Sequence, residues 1–136
     1  MKVCLDTNVL VAALATRGLC ADVLRTVLAE HELVIGAVIL AELRRILTTK
    51  FKVPSEQVNR IEAIFAPFPL LPKPAAPSTV KVRDASDRWI LATALTGGAE
   101  VLVTGDEDLL AVAEDVPIHI LTPRAFWELL RQSSPG

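Results

Sequence analysis

Four acids stand where a folded chain could bring them together: Asp6, Glu42, Asp87 and Asp106. Asp6 ends the apolar run Val3-Cys4-Leu5, which is short enough for a strand buried on both faces. Thr7 and Asn8 follow as helix-capping types, and Val9, Leu10, Val11 and Leu14 then resume with helical spacing. The stretch reads as strand, carboxylate, helix. Glu100 to Asp108, EVLVTGDED, repeats this logic with an apolar strand at Val101 to Val103 and then Thr104, Gly105 and Asp106. Glu42 falls three residues after Ile39 and four before Ile46, along the apolar face of a helix over Val38 to Thr48. Asp87 falls three and four residues before Ile90 and Leu91, on the buried side of a helix over Asp84 to Gly97. Each acid also has a plain structural reading. Asp6 and Asp106 are good helix caps, Glu42 could sit at a stripe edge with a snorkelling stem, and Asp84 with Asp87 approximates a capping box.

Their convergence would dictate the chemistry. Two carboxylates about 5 Å apart at an effective dielectric near 20 repel by ~3 kcal/mol, and four make six such pairs. The cluster stays ionised only with cations present. No His or Cys accompanies the acids, and an all-oxygen set selects Mg²⁺ or Mn²⁺ over zinc. The matching reaction is metal-assisted phosphodiester hydrolysis, in which the cation activates water and stabilises charge on the phosphoryl oxygens. Of the 16 Asp and Glu, 12 remain once these four are set aside, against 14 Lys and Arg, a balance of +2 that suits a polyanion.

The elements that must position the acids alternate along the chain. Strands are expected at Val3–Leu5, Leu33–Gly36, Val101–Val103 and Pro117–Leu121, with at most a short edge strand at Phe68–Leu71 in a proline-rich loop. Helices are expected over Val9–Leu14, Ala21–Glu30, Val38–Thr48, from a Ser55 cap to Phe65, Asp84–Gly97, Asp106–Ala113 and from Thr122 onward. This order predicts an α/β fold, a three-layer α/β/α sandwich around a parallel sheet of four to five strands. Asp6 and Asp106 would then emerge at the carboxyl edge of the sheet, where open α/β sheets bind ligands. The 136 residues suit one domain over 1–132, with 133–136 as a frayed tail. Hydrophobic residues are 51% but aromatics only 4%, so the core is aliphatic and an aromatic platform for stacked bases is disfavoured. Cys4 and Cys20 lack partners in sequence and are expected to be reduced; with no signal-like segment or membrane-length apolar run, a cytoplasmic location is expected, with no membrane partner.

Taken together, LDTNVLV at Leu5–Val11, AEL at Ala41–Leu43, RDASDRWILATAL at Arg83–Leu95 and LVTGDEDLL at Leu102–Leu110 resemble the four acidic motifs of PIN-domain nucleases. The spacing is similar to that of the VapC-like toxins of toxin–antitoxin systems, and the resemblance covers nearly the whole chain. It implies a PIN-like fold and catalytic and Mg²⁺- or Mn²⁺-binding roles for Asp6, Glu42, Asp87 and Asp106, with Asp108 accessory. Asn8 and Thr104 become polar neighbours of the site and, with Arg83 and Arg88, candidate substrate contacts. Arg88 stands where related sequences often carry a further acid, which suits a phosphate contact better than a metal ligand. The resemblance further implies an RNA substrate, a homodimer and a cognate antitoxin that blocks the cleft.

Other classes fit less well. A phosphatase with an aspartyl nucleophile wants a second Asp two residues after Asp6, where Asn8 stands. A phospho-acceptor receiver wants a Lys near the last strand, where Leu121, Thr122 and Pro123 follow His119 and Ile120. The alternatives that remain are a PIN-fold interaction module whose acids serve only as caps, and a PIN nuclease acting in RNA processing or on DNA. His31 and His119 read as surface or structural residues, and Trp89 and Trp127 as packing or dimer-contact residues, with RNA stacking as the alternative for the two tryptophans.

Overall fold

In the computed structural model, residues 1–133 are described. Five strands, β1 (Lys2–Leu5), β2 (Glu32–Gly36), β3 (Leu70–Leu71), β4 (Val101–Val103) and β5 (His119–Leu121), form one sheet in the order β3-β2-β1-β4-β5. All pairings are parallel, with Cys4 opposite both Val34 and Leu102 and Leu5 opposite Val103. Seven α-helices connect and cover them: α1 (Thr7–Ala15), α2 (Leu19–Glu30), α3 (Ala37–Thr49), α4 (Ser55–Ala63), α5 (Ala85–Thr96), α6 (Glu107–Leu110) and α7 (Pro123–Ser133). The chain leaves β1 toward β2 and later crosses to β4 on the opposite side. With right-handed crossovers, the connections of the two halves lie on opposite faces, the α/β/α sandwich that the alternation predicts.

The central strands are nearly continuous Val, Leu and Ile because both faces are covered. Val3, Leu5, Ile35, Leu102, Ile39, Leu91 and Phe126 are all at most 1% exposed. Burial pushes the Cys4 thiol far above its ordinary range, so it stays neutral inside β1, and both cysteines are free. No single helix among the described residues is long and apolar enough to cross a membrane.

Several boundaries depart from the sequence-based expectation, among them β5, which begins at His119, and α4, which ends at Ala63. The edge strand shrinks to Leu70–Leu71, because prolines at 67, 69, 72 and 74 deny the ladder donors on either side. Helix α6 stops at Leu110, four residues long, and the chain tightens into a 3₁₀ turn at Ala113–Asp115. Helix α7 runs through Ser133, one residue past the predicted domain end; the rest of the expected frayed tail, 134–136, lies outside the described residues. In addition, Ser55 is the first helical residue of α4, and Pro54 takes the cap position.

One close approach sets α5 over the carboxyl end of β2. A Cβ added at Gly36 would lie 2.7 Å from Thr93 Cγ2 and 3.4 Å from the Leu71 carbonyl oxygen, so only glycine lets this helix settle here. Because α5 carries Asp87, this contact also sets the depth of the site. We expect Gly36→Ala to cost about 1–3 kcal/mol in denaturant unfolding. Thr93→Ser removes the clashing methyl while keeping the hydroxyl bond to the Trp89 carbonyl, so it should restore part of that loss. Equal destabilisation with and without Thr93→Ser would show that the contact is not the cause.

Candidate functional site

The order β3-β2-β1-β4-β5 reverses direction between β1 and β4, and the crevice beyond their carboxyl ends opens there. Asp6 directly follows β1, and its N–H bonds the Val103 carbonyl at the end of β4 at 2.9 Å, so the ladder fixes it beside Thr104. Thr104 is fully buried, and its hydroxyl does two things. It donates to Asp6 Oδ2 at 2.7 Å and accepts the Asp106 N–H at 3.0 Å. A single hydroxyl thereby ties the acid after β1 to the acid after β4.

Asp6 occupies the cap position of α1, yet its side chain makes no capping hydrogen bond, and it is 3% exposed. Capping therefore does not account for this carboxylate. Burial raises its pKa above the ordinary range, opposed by the Thr104 hydroxyl and the Thr7 N–H, and Asp106 raises it further. Asp106 does serve as a cap, accepting the Asp108 N–H at 2.8 Å, and faces the crevice as well. At the start of α5 the labour is divided. Asp84 caps the helix through the Ser86 N–H and hydroxyl, which with Arg83 hold its pKa down. Asp87, one turn on, makes no such return bond.

Asp87 is 7% exposed, and its Oδ2 is buried without a hydrogen-bond partner. Burial first, and then the Asp106 carboxyl beside it, push its pKa up to about 7, with Asp84 and Asp6 adding to the shift. One carboxylate oxygen from each of Asp87, Asp106 and Asp108 lies within 4.8 Å of the others. Asp108 is partly neutralised by Arg83, whose Nε lies 3.1 Å from Asp108 Oδ1. Glu42 approaches from α3, half-buried; desolvation and then the charge of Asp6 raise its pKa, with Arg45 opposing and Asp84 adding.

The tight group is thus Asp87, Asp106 and Asp108. Asp6 joins through Thr104 and the charge of Asp106, and Glu42 stands beside Asp6. Carboxylate oxygens from one buried and two half-buried acids, with an orphaned acceptor and no nitrogen or sulfur donor, fit a hard divalent cation, with Asp87, Asp106 and Asp108 as its nearest holders. The candidate substrate contacts separate. Asn8 is exposed at the start of α1, and Arg83 lies 87% open to solvent beside Asp108. Arg88 is half-buried and spends its Nε on the Val82 carbonyl at 2.8 Å, pinning the loop before α5. Thr104, fully buried, positions acids and is not open to a substrate. Its role was hidden in the sequence because its partner lies 98 residues away.

The Asp87 shift has a definite consequence in cation-free solution. Its folded pKa is raised, so between the ordinary value near 3.8 and about 7 the native state holds a proton that the unfolded chain has released. This contribution therefore falls as pH rises through that window. With chelator present, we expect Asp87→Asn to flatten the decline in unfolding free energy between about pH 4 and 7; an unchanged slope would contradict the coupling of Asp87 to its neighbours.

Comparison with known proteins supplies the family. Three solved structures share the fold: VapBC2 from Rickettsia felis bound to a DNA fragment from their promoter (17% identity, 88% of this chain and 97% of that one, TM-score 0.63), FitAcB from Neisseria gonorrhoeae (21%, 90% and 98%, 0.60) and VapBC-1 from nontypeable Haemophilus influenzae (21%, 91% and 99%, 0.61). No curated protein matches the chain. The profile of the PIN domain family matches residues 2–108, a span that holds all five acids of the site. The chain belongs to the PIN domain family.

Proposed function

We propose that this protein is a metal-dependent endoribonuclease that hydrolyses RNA phosphodiester bonds, acting as the toxin of a toxin–antitoxin pair. The observation that carries the proposal is the buried, unpartnered carboxylate oxygen of Asp87 set against Asp106, in a cluster reached by one exposed arginine. Structural economy does not assemble such a group, because each added carboxylate raises the cost of ionising the others. Membership of a family of nucleases and the all-oxygen donor set point the same way.

Asp6, Glu42, Asp87 and Asp106 would hold Mg²⁺ or Mn²⁺, with Asp108 accessory. When bound, the cation polarises a phosphoryl oxygen and lowers the pKa of water. The chain's own groups do the rest. Thr104 keeps Asp6 oriented, and Arg83 can exchange Asp108 for a phosphate once that acid is neutralised. Asn8, at the open start of α1, faces the approaching strand, while Arg88 firms the loop from which Arg83 projects. Glu42, half-buried beside Asp6, would take the proton of the attacking water as its oxygen bonds phosphorus, and the departing oxygen, whose bond to phosphorus breaks, takes a proton from solvent. The three structural neighbours, described as VapBC or FitAcB assemblies, support a cognate antitoxin; a homodimer and a cytoplasmic location complete the proposed role. A PIN-fold interaction module, or a PIN nuclease serving RNA processing or acting on DNA, is separated from this reading by experiment.

On a single-stranded RNA with Mn²⁺, Asp6→Asn and Asp106→Asn should each lower cleavage at least about 100-fold, equivalent to ~2.7 kcal/mol of transition-state stabilisation. Their folds should be retained, because each removes a charge that repels its neighbours. Unchanged cleavage, with a stability loss of about 1 kcal/mol as for a missing cap, would make these acids caps and not a catalytic site, and no metal-dependent cleavage by the wild type would establish the interaction module.

A further inference from the structure

Beside the acids lies a second feature that hydrolysis does not use. A cavity of about 400 Å³ opens between the first turns of α3 and α5, lined by Ala37, Val38, Ala41, Lys73 and Trp89. Val38 and Glu42 are four residues apart on α3 and share a face, which sets the pocket next to the turn that carries the Glu42 carboxylate. On α5, Trp89 follows Asp87 by two residues, which turns the two side chains to different faces, the acid to the crevice and the indole to the pocket. The walls are apolar except for Lys73, an exposed residue on the loop after β3 whose Nζ sits 4.3 Å from the centroid of the Trp89 ring.

We infer that this pocket seats one unpaired nucleobase of the substrate, stacked on Trp89, with Lys73 turning to the phosphate attached to it. The inference rests on the nuclease reading and narrows it to single-stranded RNA, because a base paired in a duplex cannot enter a pocket in a protein wall. Charge and shape select the occupant together. An apolar peptide side chain would fill the walls and leave the ammonium without a counter-charge, whereas a free phosphate would use the ammonium and leave the indole idle. A nucleotide uses both. The ring face is held by a solvent-exposed cation, a weaker contact than a stacked base, so exchange of one for the other is favourable. The pocket also supplies what the acids lack, since their negative charge repels the strand they are to cut.

The test is tryptophan fluorescence of the whole protein in Mg²⁺, titrated with the four nucleoside 5′-monophosphates, inorganic phosphate and N-acetyl-leucinamide. Saturable quenching by at least one nucleotide is expected, absent with inorganic phosphate and lost in Trp89→Phe, which keeps Trp127. Lys73→Ala, at an exposed position that the fold does not need, should weaken nucleotide binding about tenfold. In cleavage of single-stranded RNA, Trp89→Ala should raise KM about tenfold, the scale of one lost stack, and leave kcat within about twofold, while Trp89→Phe, which keeps a ring to stack on, should raise KM less. Quenching by N-acetyl-leucinamide alone would make the pocket a peptide seat and overturn the inference. So would nucleotide quenching that persists in Trp89→Phe, or none at all while the wild type cleaves RNA normally, and in that last case the nuclease reading stands. Nucleotide quenching at Trp89 without any RNA cleavage would uphold the pocket and remove the nuclease reading.

Discussion

Mutual repulsion among carboxylates at the β1–β4 crevice is the constraint on which the rest of the structure turns. Two charges about 5 Å apart at a dielectric near 20 cost ~3 kcal/mol, whereas a hydrogen bond to a charged group returns about 1.5–3 kcal/mol. The Thr104 hydroxyl can therefore orient Asp6 but cannot offset several such pairs. Without a cation the molecule has one remaining remedy, which is to hold a proton. Burial first, and then the neighbouring carboxylates, raise the pKa values of Asp87, Asp6 and Glu42, and a cation at that place would replace the proton.

The scaffold tolerates this load because its stability comes from elsewhere. A five-stranded parallel sheet covered on both faces buries an aliphatic core that does not depend on the crevice. The acids are then carried at the ends of elements of that frame. Asp6 is locked by the ladder bond to Val103, and Asp87 stands on a helix whose closeness to the sheet is set by Gly36 against Thr93. Asp106 answers both demands, capping α6 with one oxygen while it faces Asp87. Asp84 takes over capping on α5, which frees Asp87 from a structural duty.

Much of this was legible in the sequence, for identifiable reasons. Apolar runs ending in acids gave the strand ends, and helical spacing put Glu42 and Asp87 on inward faces; the structure brings both toward Asp6 and Asp106. What escaped were relations between residues distant in sequence. Nothing local marks Thr104 as the buried hydroxyl that joins Asp6 to Asp106, or Arg83 as the partner of Asp108. The Lys73–Trp89 pocket was hidden for the same reason, because a proline-rich loop brings the lysine to the ring. Local energetics were the other gap. Spacing carried α6 on to Ala113, but the chain gives up the α form after Leu110 for a 3₁₀ turn.

The central claim is that acids from four segments of the chain form one cation-dependent site, and Glu42 and Asp87 test it best because each lies on a helix that could be purely structural. The most direct measurement is a double-mutant cycle of Glu42→Gln and Asp87→Asn on Mn²⁺ affinity, read by titration of the free ion, with Lys50→Gln as an exposed control at the far end of the Glu42 helix. The account predicts that each single substitution weakens Mn²⁺ binding at least about tenfold and that the double loses less than the product of the two, as expected for residues serving one ion. Wild-type affinity in both single variants, or strictly multiplicative losses in the double, would mean that the acids share a surface but not a site.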